Sequence, residues 1–265
     1  MGALRPAFET AGLKLVEIDW RAPIRDFEGL SLVLLGTAWD YQDSLPQFLA
    51  KLEALTEAGI TVCNPPEVVR WNGDKRYLKA LADRGVPTIP TLWFDEVGRS
   101  EIAIALDAFD APRVVVKRQV GAGGLGQHSF AHEALPEAGW RMGHPCMVQP
   151  FLPSVVEEGE YTFVFIDGAF SHGVLKRAAK GEYRIQSLYG GYECDYTPEP
   201  TDLARAEAVI AALPFEDLLY CRIDMARLPS GELAVMEAEA IEPYLYPEQG
   251  PDLGAKLAKA IAARL

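Results

Sequence analysis

Cys221-Arg222-Ile223-Asp224-Met225 and Leu233-Ala234-Val235-Met236-Glu237-Ala238-Glu239-Ala240 are two short apolar segments, separated by the turn sequence Pro229-Ser230-Gly231-Glu232. This arrangement predicts an antiparallel hairpin. Side chains alternate between the two faces of a strand, so Glu237 and Glu239 share one face, which Asp224 can join from the first strand. Converging carboxylates repel one another unless a cation lies between them, and Mg²⁺ prefers such oxygen ligands. The hairpin therefore predicts a metal site, although an ordinary solvated acidic face would explain Glu237 and Glu239 alone equally well.

A second informative segment joins a β-branched strand to a glycine-rich loop. Val114-Val115-Val116-Lys117 is followed by Gly121-Ala122-Gly123-Gly124-Leu125-Gly126. Glycines let backbone N–H groups approach phosphate oxygens, and Lys117 supplies a cation at the end of the strand. The segment is not a Walker A loop, because no Gly-Lys-Ser/Thr follows, and the lysine precedes the loop. It predicts a phosphate-binding loop, although a flexible hairpin turn would account for the glycines as well.

The order of these features resembles the ATP-grasp superfamily of carboxylate–amine ligases. Lys117 and its loop come first, and roughly a hundred residues later come Asp224 and the Glu237-x-Glu239 pair. Through residues 37–41, the chain is also similar to the subgroup that contains glutathione-synthetase-like enzymes and the O-ureido-D-serine cyclo-ligase. The resemblance spans roughly residues 30 to 250. The chain departs from many members in having Glu239 where they carry Asn.

The resemblance implies that the chain binds ATP with Mg²⁺, or with Mn²⁺ in its place. In this family a hinge strand reads adenine, the next strand holds the ribose, and lysines and the glycine loop contact phosphates. The residues implied for the nucleotide are Lys75, Lys117, Gly121, Gly123, Gly124, Gln149, Phe151, Leu152, Glu160 and Lys176. The implied metal ligands are Asp224, Glu237 and Glu239. Arg184 and Arg222 would stabilise the transferring phosphate or hold the acceptor.

Periodicity predicts a mixed fold, α/β and α+β, in which an N-terminal doubly wound domain precedes the ATP-grasp. Residues 30–36 form a continuous apolar strand, residues 45–58 have helical spacing, and residues 60–62 resume as a strand. The expected division is an N-terminal domain over 1–66, a central nucleotide-binding part over 67–148, and a C-terminal part with the metal site over 149–265.

The N-terminus is expected to begin within the first helix, at residues 1–8, with residues 15–20 as the next strand. A typical member of the resembled superfamily would begin with an extra strand. The start of the N-terminal domain is therefore expected to be missing.

Composition excludes several classes of function. The chain has 25 Lys+Arg against 38 Asp+Glu, a formal charge of −13, which disfavours binding to nucleic acid or to anionic membranes. No apolar run is long enough to span a bilayer and no export signal opens the chain, so a cytoplasmic location is expected. The 4 cysteines are far apart, which makes a zinc site or a disulfide framework improbable.

The sequence therefore predicts an ATP-dependent ligase that joins a carboxylate to an amine through an acyl phosphate. The expected partner is a small amino-acid-like or dipeptide substrate, and a homodimer is also possible. Two alternatives stay open: an inactive ATP-binding regulatory or scaffold protein, and an ATP-dependent phosphotransferase. Phosphate release with and without amine acceptors would separate the three.

Overall fold

The computed structural model describes residue 2 and residues 4–121, 123–185 and 187–265. Met1 and Ala3 of the predicted first helix and Ala122 of the predicted loop lie outside the described residues. The helices are α1 Arg5–Thr10, α2 Leu45–Glu57, α3 Pro66–Asn72, α4 Tyr77–Asp83, α5 Arg99–Phe109, α6 Pro153–Glu157, α7 Pro200–Ala212 and α8 Leu253–Ala262. The strands are β1 Leu32–Leu34, β2 Thr61–Cys63, β3 Leu92–Phe94, β4 Val97–Gly98, β5 Arg113–Arg118, β6 His128–Ala131, β7 Arg141–Met142, β8 Cys146–Pro150, β9 Glu160–Ile166, β10 Ala169–Arg177, β11 Tyr192–Tyr196, β12 Tyr220–Arg227 and β13 Leu233–Glu239.

Two antiparallel sheets form the centre of the fold. The first has 4 strands in the order β3-β8-β5-β6, and the second has 5 strands in the order β11-β10-β9-β12-β13. The predicted hairpin is β12–β13, closed by a turn in which Leu228 N donates to Glu232 O at 2.8 Å. The mixed fold class is confirmed, because a parallel strand–helix–strand unit precedes these antiparallel sheets.

The N-terminal part contains the parallel pair β1–β2 with α2 between them, as residues 30–62 predict. The expected strand over residues 15–20 is wrong. Ile18 and Trp20 pack against the cluster around Phe48, but Val16, which a strand would place on the same face, is exposed. The segment packs on a helix and has no partner strand among the described residues, so no ladder forms.

Each sheet is covered by helices through its own apolar cluster. Ile102 and Leu106 of α5 pack on Val114 and Val148 of the first sheet. The second sheet is covered on one face by α7 and on the other by α8, which also contacts α1. The face of the second sheet that packs on α8 also lines the space between the sheets, where it carries Arg222 and Asp224.

The predicted three-part division of the chain stays a prediction. Its first boundary falls at the start of α3, and its second lies inside β8. No helix among the described residues is long and apolar enough to cross a membrane. The four cysteines are free, as the sequence predicts, and Cys63, Cys146 and Cys221 are buried.

Candidate active site

A cleft of about 700 Å³ lies between the two sheets and is bordered at one end by the N-terminal part. Every residue that the sequence predicts for the site lines this cleft. These residues are Lys75, Lys117, Gly121, Gly123, Gly124, Gln149, Phe151, Leu152, Glu160, Lys176, Arg184, Arg222, Asp224, Glu237 and Glu239. The structure thus brings together residues from widely separated parts of the chain, while the role of each stays a prediction.

The glycine-rich loop connects β5 to β6 at one wall of the cleft. Gly123 and Gly124 have φ values of +63° and +70°, a conformation that residues with a Cβ rarely adopt. Lys75 fixes the start of the loop, because its Nζ donates to Gly121 O at 2.6 Å and its backbone N donates to Gln119 O at 2.9 Å. Lys75 also forms an ion pair with Glu237 at 2.7 Å, so it connects the loop to β13.

Lys117 lies at the end of β5, where the strand meets the cleft. Its side chain forms no hydrogen bond or ion pair with another described residue. Burial lowers the pKa of its ammonium group, although the charges of Glu237 and Glu160 oppose this shift. An ammonium group that is partly desolvated and unpaired favours an anionic ligand.

Gln149, on the central strand β8, has an unsatisfied acceptor that faces the same cleft. Its Nε2 donates to Thr91 Oγ1 at 2.9 Å, while its buried Oε1 has no hydrogen-bond partner among the described residues. The surrounding wall is apolar and includes Val115, Met147 and Leu152. Such a wall with one free acceptor suits a flat heterocycle that carries an N–H donor.

Buried charged side chains on the neighbouring strands β10, β9 and β12 pair with one another in the second sheet. Lys176 pairs with Glu160 and, at 2.9 Å, with Asp224, which also accepts from Thr162 Oγ1 at 2.6 Å. Burial alone would raise the pKa of Asp224, but the charges of Arg222 and Lys176 outweigh it and hold the pKa below its usual range. Burial raises the pKa of Glu160 to about 6, although Lys176 opposes this.

The register of the hairpin sets the positions of the acidic residues. Asp224 lies opposite Glu237, and Arg222 lies opposite Glu239, so all four share the face that lines the cleft. Arg222 Nε donates to Asp224 Oδ2 at 3.0 Å, and the guanidinium also pairs with Glu239. The charge of Arg222 is therefore balanced by the protein's own carboxylates, and its predicted contact with the transferring phosphate or the acceptor stays a prediction.

Side chains from the N-terminal half hold the free edge of β13. Asn72 donates to Ala238 O at 2.7 Å and accepts from Ala240 N at 2.8 Å, and Tyr77 Oη accepts from Ala238 N at 3.0 Å. These bonds satisfy backbone groups that an edge strand would otherwise leave open. They also fix the backbone that carries Glu237 and Glu239.

The carboxylates of the cleft fit Mg²⁺ only if the ion brings further oxygen ligands with it. Among the described residues, no group of three His, Cys, Asp or Glu side chains is arranged to hold a metal ion. Asp224, Glu237 and Glu239 are instead neutralised by Lys176, Lys75 and Arg222. Mg²⁺ usually takes one or two carboxylates plus the phosphates of its substrate, rather than a cage of protein ligands. These acids therefore fit an ion that arrives with a nucleotide.

Aromatic and acidic side chains also line the cleft. They include Trp39, Tyr244, Glu193 and Glu248, with Arg184 among the basic ones. Arg184 is held by Glu182, to which its Nη2 donates at 2.6 Å. Of residues 39–41, only Trp39 lines the cleft. Tyr41 packs on Phe48 in the core, and Asp40 pairs with Arg21, because the turn that follows Trp39 directs their side chains away.

Glu242 is the residue of the cleft that sequence reasoning missed. The residue is 1% exposed, and neither carboxylate oxygen has a hydrogen-bond partner in the part of the chain that the structure describes. Burial raises the pKa of Glu242 to about 9, and the charge of Glu239 adds to this while Arg222 opposes it. The sequence feature that could have identified it is its position three residues after Glu239, just beyond the end of β13.

The sequence of the chain is similar to enzymes of cycloserine biosynthesis. Residues 1–64 match a family model described as the N-terminal domain of D-cycloserine synthetase DcsG. The cycloserine biosynthesis protein DcsG of Streptomyces lavendulae is 29% identical over 281 residues, which cover 100% of this chain and 93% of that protein.

Solved structures are similar over the same extent. The crystal structure of D-cycloserine synthetase DcsG superposes with a TM-score of 0.84 and 27% identity, covering 100% of this chain and 94% of that chain. D-alanine–D-alanine ligase from Bacillus anthracis, in complex with ATP, gives a TM-score of 0.67 at 15% identity, covering 99% and 89%. At that identity the second likeness concerns the fold alone.

Proposed function

Because the chain belongs to the ATP-grasp superfamily and is an ATP-dependent carbon–nitrogen ligase, we propose that it activates a small amino-acid-like carboxylate as an acyl phosphate, which an amine then captures. The observation that carries this proposal is the shared cleft. Unpaired Lys117, the glycine loop and the acids of the β12–β13 hairpin face one another across it. Phosphate cations, oxygen ligands and an acceptor pocket are what such a reaction requires.

The nucleotide would lie between the sheets, with its base on the β8 side and its phosphates beside the loop. Gln149 Oε1 would accept a hydrogen bond from the base, and Glu160 would hold the ribose. Lys117 and Lys75 would bind phosphate oxygens. Lys75 can do so because its present partners, Glu237 and Gly121 O, border the same space.

Mg²⁺ would be held by Asp224, Glu237 and Glu239, and when bound it neutralises charge on the phosphates. The chain's own residues supply the remaining positive charge. Arg222, already anchored on Asp224 and Glu239, would face the transferring phosphate or the substrate carboxylate. Arg184 would close the same space from the mouth of the cleft. Such fixed charges stabilise the developing negative charge without any nucleophilic side chain.

The substrate class is extended from the relatives. DcsG is a D-cycloserine synthetase, and we extend to this chain a substrate of the same class, an amino-acid derivative. Trp39 and Tyr244 would form its aromatic wall. A dipeptide is the larger alternative.

The test uses the full chain with MgATP and a panel of amino acids and dipeptides, and ADP release is measured with and without hydroxylamine. Hydroxylamine converts an acyl phosphate into a hydroxamate that is coloured by ferric ions. We expect ADP release that depends on one class of acid, together with an equal amount of hydroxamate. ADP release that yields a stable phosphorylated product and no hydroxamate would assign a phosphotransferase instead.

A further inference from the structure

No hydrogen bond to another described residue compensates for the burial of the Glu242 carboxylate. Glu242 is 1% exposed and lines the cleft, yet neither carboxylate oxygen accepts a hydrogen bond from a described residue. A buried acceptor without a partner is costly, and proteins keep such groups where a ligand or another function needs them. The other acids at the base of the cleft are paired, Asp224 and Glu239 with Arg222 and Glu237 with Lys75.

The surroundings of Glu242 select the kind of ligand that would satisfy it. Trp39 Nε1 donates to the backbone oxygen of Glu242 at 3.3 Å, so the indole lies against this residue. Glu193 and Glu248 line the same cleft, and neither forms an ion pair with another described residue. Unpaired acids beside aromatic rings attract cations and N–H donors, and they repel anions.

We propose that the Glu242 carboxylate binds the nitrogen of the small substrate as an ammonium or N–H donor, and that it thereby selects amine-bearing acids over their hydroxy counterparts. This inference rests on the proposed function only in identifying the ligand as the substrate. Glu242 is a specificity residue in this account, while Asp224, Glu237 and Glu239 remain the residues assigned to the metal.

The experiment measures binding, so it does not depend on turnover. Isothermal titration calorimetry is performed on the full chain saturated with Mg²⁺ and a non-hydrolysable ATP analogue. The probes are matched pairs, D-serine with D-glycerate and D-alanine with D-lactate, which differ only in the amine. The variants are E242Q, which keeps the shape of the side chain, and E57Q, which makes the same change at an exposed residue that ends α2.

In the wild-type protein, the amino acid of at least one pair is expected to bind about tenfold or more tightly than its hydroxy match, as for a charge-assisted hydrogen bond. E242Q is expected to abolish this preference while it leaves the affinity for the hydroxy acid within about twofold. E57Q is expected to keep the preference. E242A provides a second test of the same loss should E242Q fail to fold.

Four results would overturn the assignment. Three concern the probes: the lack of any amine preference in the wild-type protein, a preference that survives E242Q, and an equal loss of affinity for both members of a pair. The fourth is a rise in the Mg²⁺ concentration needed for nucleotide binding in E242Q, which would make Glu242 a metal ligand. ADP release with the same acids reports separately on the proposed function, since amine selection without ADP would contradict the ligase mechanism and leave the Glu242 assignment standing.

Discussion

The unliganded protein is expected to become less stable as pH rises, because the Glu242 carboxyl holds its proton more tightly in the folded chain than in the unfolded one. Burial and the charge of Glu239 raise the pKa of this carboxyl from 4.5 to about 9 in the folded chain. Between these two values the folded protein binds more protons than the unfolded chain, so the free energy of unfolding falls as pH rises. This loss of stability is absent below about pH 4.5 and reaches its full size above about pH 9.

The magnitude follows from the pKa difference. Each pH unit inside the window is worth at most about 1.4 kcal/mol for one group, so at pH 7 the carboxyl costs the fold up to about 3 kcal/mol. E242Q removes the titrating group and keeps its shape. Its stability relative to wild type should therefore improve by up to about 1.4 kcal/mol for each pH unit between 6 and 8.

Urea denaturation of both proteins at pH 6, 7 and 8, without nucleotide or Mg²⁺, measures this difference directly. The exposed control E57Q should show a difference that does not change with pH. A difference between E242Q and wild type that stays constant from pH 6 to 8 would refute the reasoning, because it would mean that Glu242 is ionised or solvated equally in both states.

Three further predictions concern charges in the cleft. Lys117→Met should weaken ATP binding in calorimetry about tenfold or more, about 1.4 kcal/mol, because an unpaired phosphate cation is lost; unchanged affinity would remove Lys117 from the site. Glu237→Gln should lower ADP release at limiting Mg²⁺ about a hundredfold without loss of the fold. Turnover at the wild-type rate would show instead that Glu237 belongs to a solvated acidic face. Asp224→Asn should destabilise the protein by about 3 kcal/mol in urea, because Lys176 and Arg222 lose a shared buried partner; a loss under about 1 kcal/mol would show that water replaces it.

Much of the site follows from the sequence because its signals are local. The turn at residues 229–232 and the alternation of the following strand fix which side chains share a face, and the structure confirms the pairing of Asp224 with Glu237. The strand that ends in Lys117 and the positive φ values of the glycines after it are equally local. Features of this kind depend on neighbours within a few residues, which the sequence displays.

The misses depend on contacts between distant segments. Residues 15–20 form no strand, because Ile18 and Trp20 pack against the cluster around Phe48 of α2 and no strand among the described residues pairs with the segment. Trp39 and Tyr41 are two residues apart, yet one lines the cleft and the other is in the core. The burial of Glu242 arises because the N-terminal part, with Trp39, lies against the chain after β13. The predicted cytoplasmic location and homodimer stay predictions.

The central claim, activation of a carboxylate as an acyl phosphate, is tested most directly by oxygen transfer. The acid selected by the ADP-release panel is labelled with ¹⁸O in its carboxylate and converted with MgATP and the amine, and the released phosphate is analysed by mass spectrometry. Attack by the carboxylate on the γ-phosphate predicts that each phosphate carries one ¹⁸O atom from the acid. Unlabelled phosphate, formed at the same rate as ADP, would contradict the account, because it would mean that water receives the phosphoryl group.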